Sequence, residues 1–221
     1  MRKPVIFCDF DGTVTKKDNI ISIMKKFAPP EWEKWKEGVL SQSVSIQEGV
    51  GNMFALLPSS LRQEMVDFVL ETAEVREGFG EFVRYTEKQE IPLYIVSGGI
   101  DFFVKPLLES FHSIAGVYCN EADFSGEHIR ILWPHGCDQA CPSQNCGCCK
   151  PALIRRTASQ GEHTVVIGDS VTDLQAAKIA DSVMARDYLS EKCTELSIPF
   201  QPFDTFYDCI DRLEKLKQNI R

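Results

Sequence analysis

Four aspartates occur in two short groups whose spacing suits metal and phosphoryl chemistry. Asp9 and Asp11 are two residues apart after an apolar run, so both carboxylates can face the same way at a strand end. Asp169 and Asp173 are four apart at a predicted helix start, which places them on one helix face. Four clustered carboxylates would repel one another unless a cation lies between them. We therefore expect a divalent ion with oxygen ligands, and Mg²⁺ suits carboxylates together with a substrate phosphate.

A second set of residues could bind a phosphate group. Thr13 and Ser97 offer hydroxyls, Lys150 offers a cation, and the turn at Gly98 offers backbone N–H groups. An ionised aspartate can attack phosphorus when a metal and a lysine neutralise the phosphoryl oxygens. A second carboxylate can protonate the leaving oxygen and then deprotonate the attacking water. These residues predict a phosphomonoester hydrolase that works in two half-reactions.

The chemistry-bearing residues follow predicted strands in an alternating α/β pattern. Buried strands are predicted over 4–8, 92–96 and 164–167, and helical periods separate them. Alternation of this kind predicts an α/β fold with a doubly wound, parallel, Rossmann-like sheet. Ligands of such sheets bind beyond the carboxyl ends of the strands, so the candidate residues should converge there.

Two stretches interrupt this alternation. Residues 16–75 show only helical periods, with capping-box spacing at Ser45–Glu48 and at Ser60–Gln63, and predict an inserted helical domain. Residues 120–149 predict a small hairpin followed by a cysteine-rich loop. The core is therefore expected to comprise residues 1–15 and 76–221.

The ordered motifs resemble the haloacid dehalogenase superfamily of phosphatases. Its four motifs match Asp9-Phe10-Asp11-Gly12-Thr13, Ser97, Lys150 and Gly168-Asp169-x-x-x-Asp173. The resemblance implies that residues 16–75 are the mobile cap of that family, covering and selecting the substrate. Segments 28–32, 57–60, 97–104, 133–135 and 146–151 are also similar to one branch of the superfamily that acts on a small phosphorylated metabolite.

The resemblance also implies a role for each motif residue. Mg²⁺ is the implied cofactor. Asp9 is implied to be the nucleophile and a metal ligand, and Asp11 the general acid/base and a metal ligand through its carbonyl. Asp169 is implied to ligate the metal, and Asp173 to orient Lys150 or a metal-bound water. Phosphate binding is implied for Thr13, Ser97, Gly98 and Lys150.

Two other functions compete with this hypothesis. One is a different small-molecule phosphatase of the superfamily, such as a phosphoserine phosphatase. Thr172 argues against that alternative, because phosphoserine phosphatases usually carry Asn before the last motif aspartate. The other is a catalytically silent protein that binds a phosphorylated ligand, although such a protein would have no need of Asp11.

Nine cysteines are present, and five of them lie in one loop. Cys146-x-x-Cys149 has the spacing of a metal knuckle, but a second such pair is missing. The sequence leaves three alternatives open for the loop from Cys137 to Cys149: a zinc site, a disulfide or redox pair, and reduced packing thiols. His112, His128 and His163 are isolated and are expected to be surface or core residues.

Composition limits the partners and location. The 221 residues carry 24 basic and 32 acidic side chains, a formal net charge of −8, which argues against nonspecific binding to nucleic acid or anionic membranes. No stretch approaches the roughly 18 consecutive apolar residues of a membrane span. We expect a cytoplasmic protein with reduced thiols and a small phosphate ester as its ligand. The sequence defines no oligomeric state.

Overall fold

The structure is a computed structural model that describes residues 2–219. Its centre is a seven-stranded sheet with the order β4-β3-β2-β1-β5-β6-β7. The strands are β1 (Pro4–Cys8), β2 (Leu93–Ile100), β3 (Gly116–Asp123), β4 (Arg130–Leu132), β5 (His163–Gly168), β6 (Ser182–Ala185) and β7 (Gln201–Pro202).

Helices occupy most of the chain between the strands. They are α1 (Asn19–Phe27), α2 (Trp32–Leu40), α3 (Ile46–Ala55), α4 (Arg62–Thr72), α5 (Phe79–Lys88), α6 (Asp101–Leu108), α7 (Lys150–Thr157), α8 (Leu174–Ala177), α9 (Asp187–Glu195) and α10 (Phe206–Asn219). Short 3₁₀ turns at Ser59–Leu61 and Val171–Asp173 lead into α4 and α8.

The sheet is parallel apart from β4, and β1 lies between β2 and β5. The chain builds β2 and β3 on one side of β1 and then crosses to build β5, β6 and β7 on the other. This reversal leaves a crevice at the carboxyl end of β1, where doubly wound sheets bind their ligands. The predicted doubly wound parallel sheet is confirmed.

The two faces of the sheet bury alternate residues of each strand. In β1, Ile6 and Cys8 pack in one apolar cluster with Phe82 of α5 and Phe206 of α10. Phe7 belongs to a second cluster, on the opposite face, with side chains of α7. A strand buried on both faces reads as a continuous apolar run, which explains the sequence of β1.

Helices α1 to α4 lie between the first and second motifs and form the segment predicted to be helical. An antiparallel bridge pairs Thr15 with Val75, so this segment leaves and rejoins the rest of the chain at adjacent points. Its apolar side chains continue the core, since Phe54 of α3 meets Phe102 of α6 edge-on at a centroid distance of 6.1 Å.

The two predicted capping boxes have different outcomes. The Ser45 hydroxyl caps α3 by accepting a hydrogen bond from the Glu48 N–H, as predicted. The box at Ser60 is wrong, because Ser60 lies in the 3₁₀ turn and α4 starts at Arg62 without a side-chain cap. The turn closes its own i→i+3 hydrogen bonds and leaves Ser60 no helix start to cap.

Strand ends and the C-terminal third differ most from the sequence prediction. Strand β2 continues to Ile100 instead of ending at Val96, with an irregularity in its pairing with β3 between these residues. Helix α9 and strand β7 were not predicted, because α9 buries only Leu189 and Cys193 and β7 has two residues.

Within residues 2–219, no helix has the length and apolar character needed to cross a bilayer.

Candidate active site

The motif residues converge at the carboxyl ends of the three central strands. Asp9 follows β1 directly, Ser97 lies in the last half of β2, and Asp169 follows β5. The backbone of Asp9 is fixed to β5 by a hydrogen bond from its N–H to the Ile167 carbonyl, 2.9 Å long. Sheet topology therefore places one candidate residue from each of three motifs at the crevice beside β1.

Lys150 is the cation at the centre of the site. It is buried at the first position of α7, and its Nζ donates to Asp9 Oδ1 at 2.6 Å, to Thr172 Oγ1 at 3.2 Å and to Asp173 Oδ1. An ammonium has three N–H donors, and these acceptors use all of them. Burial alone would lower the pKa of Lys150, but the two carboxylates outweigh burial and raise it. Lys150 therefore stays charged.

Three carboxylates surround a common point beside Lys150. Asp9, Asp169 and Asp173 each present an oxygen within 4.8 Å of the other two. Burial raises the pKa of Asp9 well above its ordinary value, Asp173 raises it further, and Lys150 opposes both. Burial and the neighbouring Asp173 also raise the pKa of Asp169, to about 6. One lysine does not balance this negative charge, and a divalent cation would; the donor set of hard oxygens fits Mg²⁺.

Glycines allow the carboxylates to approach the backbone this closely. A Cβ at Gly12 would clash with the Asp169 carboxylate, and Gly12 also has a φ of +85°, which other residues rarely adopt. A Cβ at Gly168 would clash with Asp173, and one at Gly99 would lie 2.5 Å from Asp11 Oδ2. Each of these glycines leaves room for one site carboxylate.

Asp11 lies away from the lysine and faces the inserted helices. Its Oδ1 accepts hydrogen bonds from the Asn19 backbone N–H at 3.0 Å and from Asn19 Nδ2 at 2.6 Å, while the buried Oδ2 has no hydrogen-bond partner in the structure. Burial raises the pKa of Asp11 to about 7, helped by the nearby Asp18 and opposed by Asn19. A carboxyl group in this state can both donate and accept a proton near neutral pH.

The residues predicted to bind phosphate line the same region. Thr13 Oγ1 donates to Asp169 Oδ1 at 2.6 Å. The Ser97 Oγ accepts a hydrogen bond from the Gly99 N–H at 2.9 Å, which leaves the hydroxyl proton of Ser97 available to a ligand. A Cβ at Gly98 would meet no atom within 4 Å, so open space lies beside this residue.

Sequence reasoning missed three residues that hold the site. Arg76 is buried and donates from Nε to the Thr13 carbonyl at 2.7 Å and from Nη2 to the Gly12 carbonyl at 2.6 Å. Asn120 Nδ2 donates to the Gly98 carbonyl at 2.8 Å, and Asn19 binds Asp11. Their partners are 8 to 64 positions away in the chain, and no local motif marks them.

Comparison with known proteins identifies the family of this chain. Residues 6–178 match the family described as haloacid dehalogenase-like hydrolase. The chain belongs to the haloacid dehalogenase-like hydrolase family, as the four motifs predicted.

Several curated relatives carry the same name. The chain is 58% identical over 213 residues to the 2-hydroxy-3-keto-5-methylthiopentenyl-1-phosphate phosphatase of Geobacillus thermodenitrificans, covering 96% of each chain. It is 59% identical to the protein of that name from Geobacillus kaustophilus, again over 96% of each chain. The corresponding protein of Bacillus velezensis is 54% identical, with 97% of this chain and 92% of the relative covered.

Solved structures share the fold at much lower identity. A phosphoserine phosphatase solved as a phospho-aspartyl intermediate analogue superposes with a TM-score of 0.71 at 18% identity, covering 96% of this chain and 99% of that one. A substrate-bound phosphoserine phosphatase complex gives a TM-score of 0.66 at 18% identity, covering 87% and 90%. At this identity the similarity concerns the fold.

Proposed function

We propose that this protein is a Mg²⁺-dependent phosphomonoesterase that converts 2-hydroxy-3-keto-5-methylthiopentenyl-1-phosphate to 1,2-dihydroxy-3-keto-5-methylthiopentene in L-methionine salvage. One observation carries the chemistry: the Lys150 ammonium lies between Asp9 and Asp173, with Asp169 beside them, at the carboxyl end of β1. The identity of 54 to 59% to relatives bearing this activity in their names supports the substrate.

The Mg²⁺ ligands in this proposal are Asp9, the Asp11 carbonyl and Asp169. When bound, the ion neutralises phosphoryl oxygens and keeps the Asp9 carboxylate charged. Asp173 serves a different role, because it already binds Lys150 and accepts hydrogen bonds from the Asp169 and Ser170 N–H groups at 3.2 and 3.0 Å. It orients the lysine.

In the first half-reaction an Asp9 carboxylate oxygen attacks phosphorus. A bond forms between that oxygen and phosphorus while the bond from phosphorus to the ester oxygen breaks. Ser97 and the Gly98 turn bind the phosphoryl oxygens. Lys150 and Thr13 join them when each turns a donor from Asp9 or Asp169 toward the phosphoryl group. Asp11 gives its proton to the leaving oxygen, and an aspartyl-phosphate remains on the enzyme.

In the second half-reaction water attacks the aspartyl-phosphate. Asp11, now ionised, takes a proton from that water as the new oxygen–phosphorus bond forms. The bond between Asp9 and phosphorus breaks, inorganic phosphate leaves, and both aspartates return to their starting states.

Residues 16–75 act as the cap in this proposal. Asn19 connects α1 of the cap to Asp11, so closing the cap fixes the acid/base while excluding bulk water. The ligand is a small molecule. The net charge of −8 argues against nucleic acid as a partner, and nine unbridged cysteines suit a reducing compartment such as the cytoplasm.

The substrate is tested by comparing kcat/KM on the enol phosphate and on phosphoserine with Mg²⁺ present. We expect a preference for the enol phosphate of at least about a hundredfold, or about 2.7 kcal/mol. A preference for phosphoserine would contradict the substrate, and absence of turnover on every phosphate ester would point to a ligand-binding protein.

The nucleophile is tested separately with p-nitrophenyl phosphate. Asp9→Asn should lose activity by about a thousandfold or more, because an amide cannot form the aspartyl-phosphate. Asp211→Asn, an exposed aspartate on α10, is the matched control and should keep wild-type activity. Equal rates in Asp9→Asn and the control would remove Asp9 from the mechanism.

A further inference from the structure

Four cysteines of the loop before Lys150 come together in space. The Sγ atoms of Cys137, Cys141, Cys146 and Cys149 all lie within 4.8 Å of one another. The Cys141 and Cys146 sulfurs are 3.7 Å apart. Cys148 is excluded from this group, because its Sγ points to the Tyr118 carbonyl at 3.6 Å. We call the group of four the cysteine cluster.

The spacing of the sulfurs suits tetrahedral metal coordination. Zinc binds thiolate sulfur at about 2.3 Å, so two sulfurs of a regular tetrahedral site are about 3.8 Å apart. The distance between Cys141 and Cys146 is close to that value. A disulfide requires about 2.05 Å between its sulfurs, and all nine cysteines, which lie within the described residues, are free.

The order of the ligands in the chain also suits zinc. The sequence is Cys137-x₃-Cys141-x₄-Cys146-x₂-Cys149, and each interval lies in the range of two to four residues found between ligands of structural zinc sites. A set of four soft thiolates selects zinc over Mg²⁺. The sequence alone singles out the Cys146-x-x-Cys149 pair, and the fold shows that Cys137 and Cys141 lie beside it.

The loop has no regular secondary structure and, apart from Cys148, contributes no side chain to the apolar clusters of the sheet. Residues 134–149 contain no helix or strand, and Gln144, Asn145 and Gly147 have positive φ values. Most of its apolar packing is one small cluster formed by the four cysteines and Ala152, while Cys148 packs in the cluster that contains Phe7. A loop of this length needs a cross-link in place of a hydrophobic core.

Charge balance at the cluster is compatible with a bound ion. Binding of Zn²⁺ would release four thiol protons to solvent and leave a centre of net charge −2. Arg155, after the loop, is held by Asp138 through hydrogen bonds of 2.8 and 2.5 Å, and this carboxylate is the main cause of its raised pKa, with smaller contributions from Cys149 and Cys141. Because Asp138 already balances this guanidinium, the two positive charges of the ion itself would offset half of the four thiolate charges.

We propose that Cys137, Cys141, Cys146 and Cys149 bind one structural Zn²⁺ ion that holds the loop connecting the hairpin to Lys150. Cys149 immediately precedes Lys150, so the ion fixes the start of α7. The same loop contacts the inserted helices, since the Gln47 N–H of α3 donates to the Asn145 carbonyl at 3.3 Å. The zinc site thus supports both the catalytic lysine and the base of the cap.

Metal content is the first test. Protein purified without chelator and then dialysed against Mg²⁺ should contain about one zinc per chain by mass spectrometry. Cys141→Ser should lower the content below about half an equivalent, since a hydroxyl replaces a thiolate. Cys148→Ser, in the same loop but outside the cluster, is the control and should keep the full equivalent.

Cobalt substitution tests the coordination in the wild-type chain and does not depend on the folding of a variant. Co²⁺ in place of zinc should give the thiolate charge-transfer and visible bands of a tetrahedral sulfur site. Zinc-free wild type with four free thiols in the loop, disulfides among these cysteines by thiol counting, or iron in place of zinc would each overturn the proposal.

Hydrogen exchange tests the structural role. Removing zinc with an organomercurial reagent and a chelator should increase amide exchange over residues 134–152 by about tenfold or more, while β1 and β5 keep their protection. Unchanged exchange in this loop after zinc removal would show that the ion does not hold it. None of these measurements uses phosphatase turnover, so they stand apart from the proposed function.

Discussion

At the scale of single residues, the site depends on three glycines that leave space for its carboxylates. Gly12, Gly99 and Gly168 each face a carboxylate that a Cβ would displace. For Gly12 the positive φ is a second reason, whereas Gly168 has no such backbone requirement. Gly168 therefore isolates the steric effect on Asp173, and through it on Lys150.

Replacing Gly168 with alanine should disturb the lysine at the centre of the site. The new methyl group would push Asp173 away from Lys150, because the space it needs is filled by the Asp173 carboxylate. We expect a loss of about 1–3 kcal/mol in the free energy of unfolding, measured in urea, and at least a tenfold fall in kcat.

Gly126→Ala is the matched control for this substitution. Its Cβ would lie 3.6 Å from the nearest atom, an ordinary contact, and Gly126 lies in the hairpin between β3 and β4. Both the stability and kcat should stay close to wild type. If Gly168→Ala and Gly126→Ala have the same stability and the same kcat, the close approach of Asp173 is not the reason that a glycine is needed at position 168.

Single residues also show what a sequence can and cannot predict about a site. The spacing around Asp9, Asp11, Asp169 and Asp173 is local, so it is visible without a structure. Arg76 is not visible in this way, because its partners Thr13 and Gly12 lie 63 and 64 positions away, on the other side of the inserted helices. The cysteine cluster is an intermediate case, since the intervals between its cysteines can be read from the sequence but the meeting of all four sulfurs depends on the fold of the loop.

At the scale of elements, α1 is joined directly to the loop after β1. Asn19, the first residue of α1, is buried and binds Asp11 through its backbone and its side chain. Its Nδ2 also donates to Thr15 Oγ1 at 3.1 Å. The position of this helix therefore determines how Asp11 is held.

Asn19→Ala should lower kcat by about ten- to a hundredfold and change KM much less. The variant removes a hydrogen bond to a buried carboxyl group, a type of bond that contributes about 1.5–3 kcal/mol. The proposed acid/base would then lose the orientation needed in both half-reactions. Steady-state kinetics on the enol phosphate measures the effect.

Asn52→Ala provides the control within the same inserted segment. Asn52 Nδ2 donates to the Glu48 carbonyl on the exposed side of α3, and no site residue takes part. Wild-type kcat is expected for this variant. A comparable loss of kcat in both variants would mean that cap stability, and not the contact with Asp11, sets the rate.

The helices and strands also show why some elements were predicted from the sequence and others were not. Helix α3 was predicted because Ser45 and Glu48 have capping-box spacing and are followed by five apolar residues that share one helix face: Ile46, Val50, Met53, Phe54 and Leu57, the last of which lies just beyond the helix. Helix α9 begins at Asp187 with a φ of +45° and turns mainly polar residues outward, so the period that would reveal it is weak. Strand β7 exists only because β6 offers a parallel edge to Gln201 and Pro202.

A carboxylate links the start of β1 to β5 and β6 and gives stability a pH dependence. Asp181 accepts from Arg2 Nη1 at 2.8 Å and from the Thr164 N–H and hydroxyl at 2.8 and 2.9 Å. Burial raises the pKa of Asp181, but these hydrogen bonds outweigh it and lower the pKa to about 2. Because the folded value lies below the ordinary 3.8, the stabilisation is complete above about pH 5 and is lost as pH falls toward 2.

Asp181→Asn should therefore destabilise the protein at pH 6 more than at pH 3. The group is partly exposed, so solvent screening limits the difference at pH 6 to about 1 kcal/mol. Urea unfolding of wild type and variant at the two pH values measures it. Asp211→Asn, whose carboxylate is exposed on α10, is the control and should have a stability close to that of wild type. If the difference in unfolding free energy between wild type and Asp181→Asn increased as the pH falls, the lowered pKa of Asp181 would be contradicted.

At the scale of the whole molecule, the excess of acidic residues has a local meaning. Three carboxylates of the net charge of −8 lie within one site and face a single buried lysine. The native state therefore contains a repulsion that the unfolded chain does not, because unfolding separates these groups. A cation that binds the folded site must stabilise the whole fold.

Mg²⁺ should raise the melting temperature of the wild-type protein. An ion that binds only the native state contributes about 2.7 kcal/mol at a hundred times its dissociation constant. In Asp169→Asn the increase should disappear, because the proposed ligand is lost. Without Mg²⁺ this variant should be at least as stable as wild type, since one repelling charge has been removed. Asp211→Asn should respond as wild type does. Scanning calorimetry at two Mg²⁺ concentrations measures these shifts, and an undiminished increase in Asp169→Asn would place the ion elsewhere.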